Sequence, residues 1–303
     1  MDIRAICLGL VFALAWSSAF TSARIIVESA PPLLILSLRF FLSGALACGL
    51  AWALGQSFRL SAAQWRATIL FGICQNALYL GLNFVAMQSV EASLAAIIAS
   101  AMPLLVAGAG WILFRERVGA AGVAGLVVGT GGVILIMGAR LGGGADTFGI
   151  ALCILGVLAL TAATLALRQA SSGGNYMAIV GLQMLVGATA LLPAGLALET
   201  WDVTWTPRLT AAFVYTTLVP GLLATLIWFH LVARIGAVKA ATFHFLNPFF
   251  GVAIAALLLG EALSLTDIAG VALIAGAILA VQTSRASVRA ATKTPDTRPN
   301  TAR

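Results

Sequence analysis

Acid–base, nucleophilic or metal chemistry needs clustered titratable side chains, and this chain keeps them apart. Its two histidines, His230 and His244, have no carboxylate near them in sequence. Glu28, Glu91, Glu116, Asp146, Glu199, Asp202, Glu261 and Asp267 fall at the ends of apolar runs or between them, never inside one. Cys7, Cys48, Cys74 and Cys153 lie within runs without ligand-like spacing and read as small packing residues. No GxxxxGK[ST] phosphate loop occurs, so neither a cofactor, a metal nor a catalytic residue is expected. The runs do contain groups suited to recognition. Gln75, Tyr79 and Asn83 recur every four residues and share one helical face, with Asn76 beside them. Trp16, Ser17 and Ser18 lie in the first run, Ser100 in the fourth, Thr161 and Thr164 in the sixth, Tyr215 in the eighth, and Thr242, His244 and Asn247 in the ninth. Singly, each suits a hydrogen bond between helices. Together they predict a weakly polar, aromatic-lined cavity that binds a small solute, with His244 placed to contact it, to exchange a proton near neutral pH, or to make one buried hydrogen bond.

The elements that must position these residues follow from composition. Of 303 residues, 61% are apolar and 9% charged, whereas soluble domains carry about 25% charged residues. Runs of about 20 apolar residues imply helices that satisfy their own backbone within lipid. Ten are read: Ala5 to Ile26, Leu33 to Leu54, Ala67 to Met87, Ala92 to Leu113, Val118 to Gly138, Thr147 to Leu167, Tyr176 to Leu198, Leu209 to Leu231, Ala237 to Leu259 and Leu265 to Thr283. With the amino terminus inside, thirteen Lys and Arg fall on the cytoplasmic side and three, Arg24, Arg140 and Arg208, outside. The net charge of +7 therefore orients the chain against anionic lipid and implies no nucleic-acid partner. Cys7 to Ser18 followed by Thr21, Ser22 and Ala23 has the look of a cleavable leader, but its basic region is Arg4 alone and cleavage would leave nine spans. Trp52, Trp65, Trp111 and Trp228 read as an inner interfacial belt, and Trp201 and Trp205 as an outer one.

Shifted by 145 positions, Ala92 to Ile136 falls on Ala237 to Val281 without a gap, bringing Pro103 onto Pro248 and Glu116 onto Glu261. Five spans per half make the copies antiparallel, the pattern of a secondary carrier. The expected fold is an all-α integral membrane protein of ten transmembrane helices, arranged as two inverted five-helix repeats with both termini cytoplasmic. The units are residues 1–141, an outer hinge at 142–146, residues 147–283, and a disordered tail at 284–303. At 1.5 Å per residue, Pro103 and Pro248 each lie about 16 Å into their helices, near the midplane. Each disturbs the carbonyl four residues earlier, Ala99 and His244, and is expected to kink its helix beside the cavity. Arg39 is the one full charge deep in a span. It reads as a clamp onto helix-end carbonyls or onto an acid such as Glu91, with a functional role as the alternative. Gly125 and Gly129 form a GxxxG that suits packing of the fifth helix on the tenth, or a weak homodimer.

Leu38-Arg39-Phe40, the Ala-rich run ending at Pro103 with Leu113-Phe114-Arg115-Glu116, and the second copy, Asn247-Pro248 with Leu258-Leu259-Gly260-Glu261, resemble the drug/metabolite transporter superfamily in its ten-helix branch of two EamA-type repeats. Arg115-Glu116-Arg117 departs from the Gly-Glu pair of that pattern. The resemblance implies a carrier of the bacterial inner membrane with a central cavity between its halves and helices five and ten away from the path. It is similar to exporters of amino acids, aromatic ones in particular, and of other small metabolites. An enzyme acting on lipid-linked substrates and a passive channel are the rival readings.

Overall fold

The computed structural model describes residues 3–115, 119–142, 144, 146–166, 174–235 and 242–291. Glu116, Arg117, Arg168, Lys239 and most of the tail, all used in the sequence reading, lie outside the described residues, as does the side chain of Thr242. Among these residues all regular secondary structure is helical. Helices α1 (Ile3–Val27) and α2 (Pro32–Ala53) are followed by α3 (Ala62–Ala86), whose centre, Gly72–Leu80, is π-helical. Then come α4 (Ala92–Ala99), α5 (Met102–Phe114), α6 (Ala120–Gly142), α7 (Thr147–Ala166) and α8 (Tyr176–Leu198). Helix α9 starts at Pro207, passes through a π-helical stretch, Thr217–Leu223, and ends at Ile235. A 3-10 turn, Thr242–Leu246, leads into α10 (Asn247–Leu259), and α11 (Leu265–Ala291) completes the described chain.

Among the described residues, eight stretches are long and apolar enough to cross a bilayer, and Asn247–Leu259 and Leu265–Val281 are shorter apolar helices. The chain is thus a multi-pass integral membrane protein. The ninth expected run is described only from residue 242: residues 242–246 form a 3-10 turn ahead of Pro248, and residues 237–241 lie outside the described residues. The same break occurs between α4 and α5, where Pro103 sits in the first turn of α5. Proline cannot donate to the preceding turn and crowds its carbonyl, so each helix restarts at its proline.

The packing has an internal two-fold character. Helix α1 lies on α9 and α10, just as α7 lies on α3, α4 and α5; α2 pairs with α8, and α6 with α11. The π-helical stretches also correspond, one in the middle of α3 and one in the middle of α9. The α6–α11 pair is a close approach of backbones. A Cβ added to Gly270 would lie 2.3 Å from Ile136, and one added to Gly125 would lie 2.9 Å from the carbonyl oxygen of Ala277. Small residues permit this contact. The GxxxG of α6 therefore serves packing inside the chain.

Reciprocal capping ties α2 to α8. Glu199, after α8, accepts the backbone N–H of Leu33 and Leu34 at the start of α2, each at 2.9 Å. Gln56, after α2, accepts from Met177 at 3.0 Å and Ala178 at 3.2 Å at the start of α8. Each bond fills orphan donors that a helix start otherwise leaves open.

Candidate functional site

A cavity of about 390 Å³ runs from the level of Pro103 to Gln64, in the first turn of α3 at the end read as cytoplasmic. Ser61 and Gln64 form a capping box there, with Gln64 Oε1 accepting the Ser61 N–H at 2.8 Å, which sets where α3 begins. The walls come from α1, α3, α4, α5, α7, α8, α9 and the turn before α10. One side is aromatic: the Phe12 ring centre is 5.8 Å from that of Trp16, 5.0 Å from that of Trp228 and 5.3 Å from that of His244. The lining also carries amides and hydroxyls, Gln75, Gln183, Ser100, Thr164, Thr225 and Asn247. Among the described residues, no carboxylate lines it.

Several expected residues meet in this space. Trp16, Gln75, Tyr79, Ser100, Pro103, Thr164, His244 and Asn247 all line it, and Asn83 lines a smaller cavity beyond. The π-helical turn of α3, with its wider i to i+5 bonding, keeps Gln75 and Tyr79 facing the same space while Asn76 Nδ2 reaches the Gln183 carbonyl at 2.9 Å. His244 Nδ1 lies 2.9 Å from Asn247 Nδ2, so the imidazole makes a side-chain hydrogen bond and also walls the cavity.

Other residues are placed elsewhere. Tyr215 is outside the lining; its hydroxyl pairs with Ser18 Oγ at 2.8 Å, and its side of α9 is partly exposed. Ser17 is buried and donates to the Asn247 carbonyl at 3.3 Å, across the α1–α10 contact. Thr161 is buried and bonds the Val157 carbonyl at 2.8 Å. Pro248 is buried behind Asn247 and outside the lining, so only one of the two kink prolines touches the cavity. The hydroxyls mostly bond within their own helices: Ser100 to Ala96 at 2.7 Å, Thr164 to Leu160 at 2.8 Å and Thr225 to Gly221 at 2.8 Å. That i−4 bond satisfies a hydroxyl without a partner helix and bends the helix slightly.

Arg39 acts as a carbonyl clamp, and its partner is Thr216. Pro220 has no N–H for the carbonyl of Thr216, four residues earlier; the chain is π-helical there, bonding i to i+5, and Arg39 Nη1 also donates to that carbonyl at 3.2 Å. Glu91 is engaged elsewhere. Arg140 Nη1 lies 2.5 Å from it, while the same guanidinium holds Asp267 at 3.2 and 2.9 Å.

The opposite end, read as external, is drawn together by polar contacts. Glu261 caps α4, Glu199 caps α2, and Arg140 joins Glu91 to Asp267. Arg24 bonds the Met87 carbonyl and pairs with Glu28, which Arg208 also approaches at 3.5 Å. All three arginines assigned outside by the charge count take part.

Sequence reasoning missed Phe12, Phe20, Gln64, Gln183, Thr225 and Trp228. Phe12, Trp16 and Phe20 follow the same four-residue spacing that singled out Gln75, Tyr79 and Asn83, so that signal was present. Gln183 lies in the seventh run, which contributed none of the expected recognition groups, and Trp228 reads from sequence as an interfacial residue. Both line the cavity instead.

Comparison with known proteins agrees with this architecture. The EamA-like transporter family model matches residues 3–138 and again 147–283. The chain is 25% identical to the Uncharacterized transporter YvbV of Bacillus subtilis over 277 residues, covering 91% of this chain and 90% of that one. It is 24% identical to the Uncharacterized transporter sll0355 of Synechocystis, with 85% and 83% covered, and 25% identical to an Uncharacterized transporter of Archaeoglobus fulgidus, with 86% and 91% covered. A protein crystal structure superposes with a TM-score of 0.68 at 21% identity, covering 95% of this chain and 99% of that one, and so shares the fold. The chain belongs to the EamA-like transporter family: it is a membrane transporter of small metabolites and not an enzyme.

Proposed function

We propose that this transporter carries amino acids, aromatic and other neutral ones, or metabolites of similar size, by alternating access, and works as an exporter in a bacterial inner membrane. One observation carries the reading: the cavity of about 390 Å³ joins an aromatic wall of Phe12, Trp16, Trp228 and His244 to amide groups at Gln75, Gln183 and Asn247. Aromatic rings bind flat apolar side chains and favour ammonium groups over their faces. Amides orient a polar head without imposing a charge. Ten spans in two inverted five-helix halves, residues 1–141 and 147–283, would let the halves rock about the cavity. The correspondence of α1 with α7, α2 with α8 and α3 with α9 supports that arrangement. In this reading Trp16, Tyr79 and His244 contact the solute, Gln75, Asn83 and Asn247 orient it, and Pro103 and Pro248 let their helices bend. The polar closure at the end opposite Gln64 favours a carrier over an open pore.

The test is flux of radiolabelled phenylalanine, threonine and methionine in proteoliposomes. Saturable uptake with counterflow is expected for at least one of them. Flux no greater than in empty vesicles for all three rejects the amino acid assignment, and non-saturating flux without counterflow replaces the carrier with a channel.

A further inference from the structure

Beyond the large cavity, across Trp16, Phe20, Gln75, Tyr79, Gln183 and Thr225, which wall both, lies a second cavity of about 80 Å³. Arg39 lines it and is 5% exposed. Of its five N–H groups, one on Nη1 bonds the Thr216 carbonyl, and Nε is buried without a partner. The guanidinium carbon stands 4.4 Å from the centre of the Phe40 ring. A carbonyl dipole and a ring face offset only part of a full charge. Among the described residues no acid pairs with Arg39, and Glu28, Glu91, Glu199, Glu261 and Asp267 are bonded elsewhere. Arginine does not shed its proton in proteins, and a buried cation without a counter-charge is costly. If the clamp on Thr216 were the whole role of this position, a neutral donor would fill it at lower cost.

On the same cavity, Asn83 donates its Nδ2 to the Tyr79 carbonyl at 2.8 Å, while its Oδ1 is buried without a partner. Arg39, with spare donors, and Asn83, whose amide oxygen has a spare lone pair, thus both line one small space. It is large enough for a polar head group but much smaller than the aromatic cavity it adjoins. We propose that this small cavity is a carboxylate subsite, in which Arg39 pairs with the carboxylate of the solute while the remainder of the molecule lies among Phe12, Trp16, Trp228 and His244. Asn83 Oδ1 is placed to accept from an amino group next to that carboxylate. The inference rests on the large cavity being the solute site and narrows the solute class to molecules with a carboxylate head.

Two measurements on the purified protein in lipid nanodiscs test it. The first needs no variant and no knowledge of the solute: the thermal midpoint of the wild type with benzoate or with benzyl alcohol. Benzoate is expected to raise the midpoint and benzyl alcohol to leave it unchanged. The second is competition against bound radiolabelled phenylalanine by 3-phenylpropanoate, which lacks the amino group, and by phenethylamine, which lacks the carboxylate. Phenethylamine is expected to compete about ten- to a hundredfold more weakly than phenylalanine, the worth of hydrogen bonds to a charged group. In Arg39→Lys and Arg39→Gln the benzoate shift should fall in the first and vanish in the second. If phenylalanine fails to bind but benzoate stabilises the wild type and not Arg39→Gln, the subsite stands and the amino acid reading falls. If phenylalanine is carried but phenethylamine competes equally well, or if benzoate and benzyl alcohol act alike on the wild type, the subsite is overturned and the carrier reading survives. Should Arg39→Gln fail to fold, the two wild-type comparisons still decide.

Discussion

The carboxylate of Glu261 accepts the backbone N–H of Ala92 at 2.7 Å, and of Ser93 at 2.9 Å, so the residue just beyond α10 caps the start of α4. A negative charge at a helix amino terminus satisfies orphan donors and meets the positive end of the helix dipole. Glu261→Ala should therefore lower stability by about 1 kcal/mol, the usual worth of a cap. Glu28→Ala should change it by less, because Glu28 is 38% exposed and joined only to Arg24 and Arg208. Thermal midpoints of the two variants in one detergent check the ranking. A larger loss for Glu28→Ala would show that the cap contributes nothing.

Gly270 and Gly276 both have identical partners in the repeat, Gly125 and Gly131, yet they are predicted to respond in opposite ways to substitution. A Cβ on Gly270 would stand 2.3 Å from Ile136, whereas one on Gly276 would meet nothing within 4 Å. Gly270→Ala should cost about 1 to 3 kcal/mol through overpacking of the α6–α11 contact. Gly276→Ala should be neutral or slightly stabilising, since alanine is the better helix former. Equal midpoints for the two variants would contradict the described rotation of α11.

Asp146 stands just ahead of α7 and accepts from Ser89 Oγ at 2.5 Å and from the N–H of Gly149 at 2.9 Å. These bonds, that from Ser89 foremost, hold its carboxyl below the usual carboxylate range. A depressed carboxyl stabilises above its unfolded value and loses that contribution as pH falls through its folded value. The amides of Phe148 and Gly149 should thus stay protected from hydrogen exchange at about pH 5, and lose protection only below about pH 4. In Asp146→Ala, protection of these amides should already be low at pH 5. Protection that does not change across this range in the wild type would show that the carboxylate does not anchor the turn.

Trp16 lines both cavities, whereas the Tyr215 hydroxyl bonds Ser18 outside the lining. Trp16→Ala should raise the KM for the transported solute about tenfold or more, as loss of a buried aromatic contact does. Tyr215→Phe should leave KM within about twofold, since it removes only a hydrogen bond remote from the solute. Initial rates of uptake into proteoliposomes measure both. A KM shift confined to Tyr215→Phe would move the binding site to the other side of α1.

Residue types and their spacing were enough to place this chain in a bilayer, to align Pro103 with Pro248, and to group Gln75, Tyr79 and Asn83 on one helical face. These follow from local rules: lipid demands internally bonded backbone, proline interrupts its own helix, and helical periodicity decides which side chains share a face. The direction each face points was decided only by the assembled helices. In a membrane, lipid tails are as apolar as a packed interior, so an outward leucine and an inward one read alike, and periodicity lacks the polar contrast that orients helices in water. For that reason Trp228 passed for an interfacial residue while walling the cavity, Tyr215 passed for a lining residue while bonding Ser18, and Gly125 and Gly131 looked equivalent although only Gly125 meets α11. The partner of Arg39 was likewise out of reach. It is a carbonyl on another helix, at the start of a π-helical stretch that contains Pro220, and only the packing of α2 against α9 brings the two together.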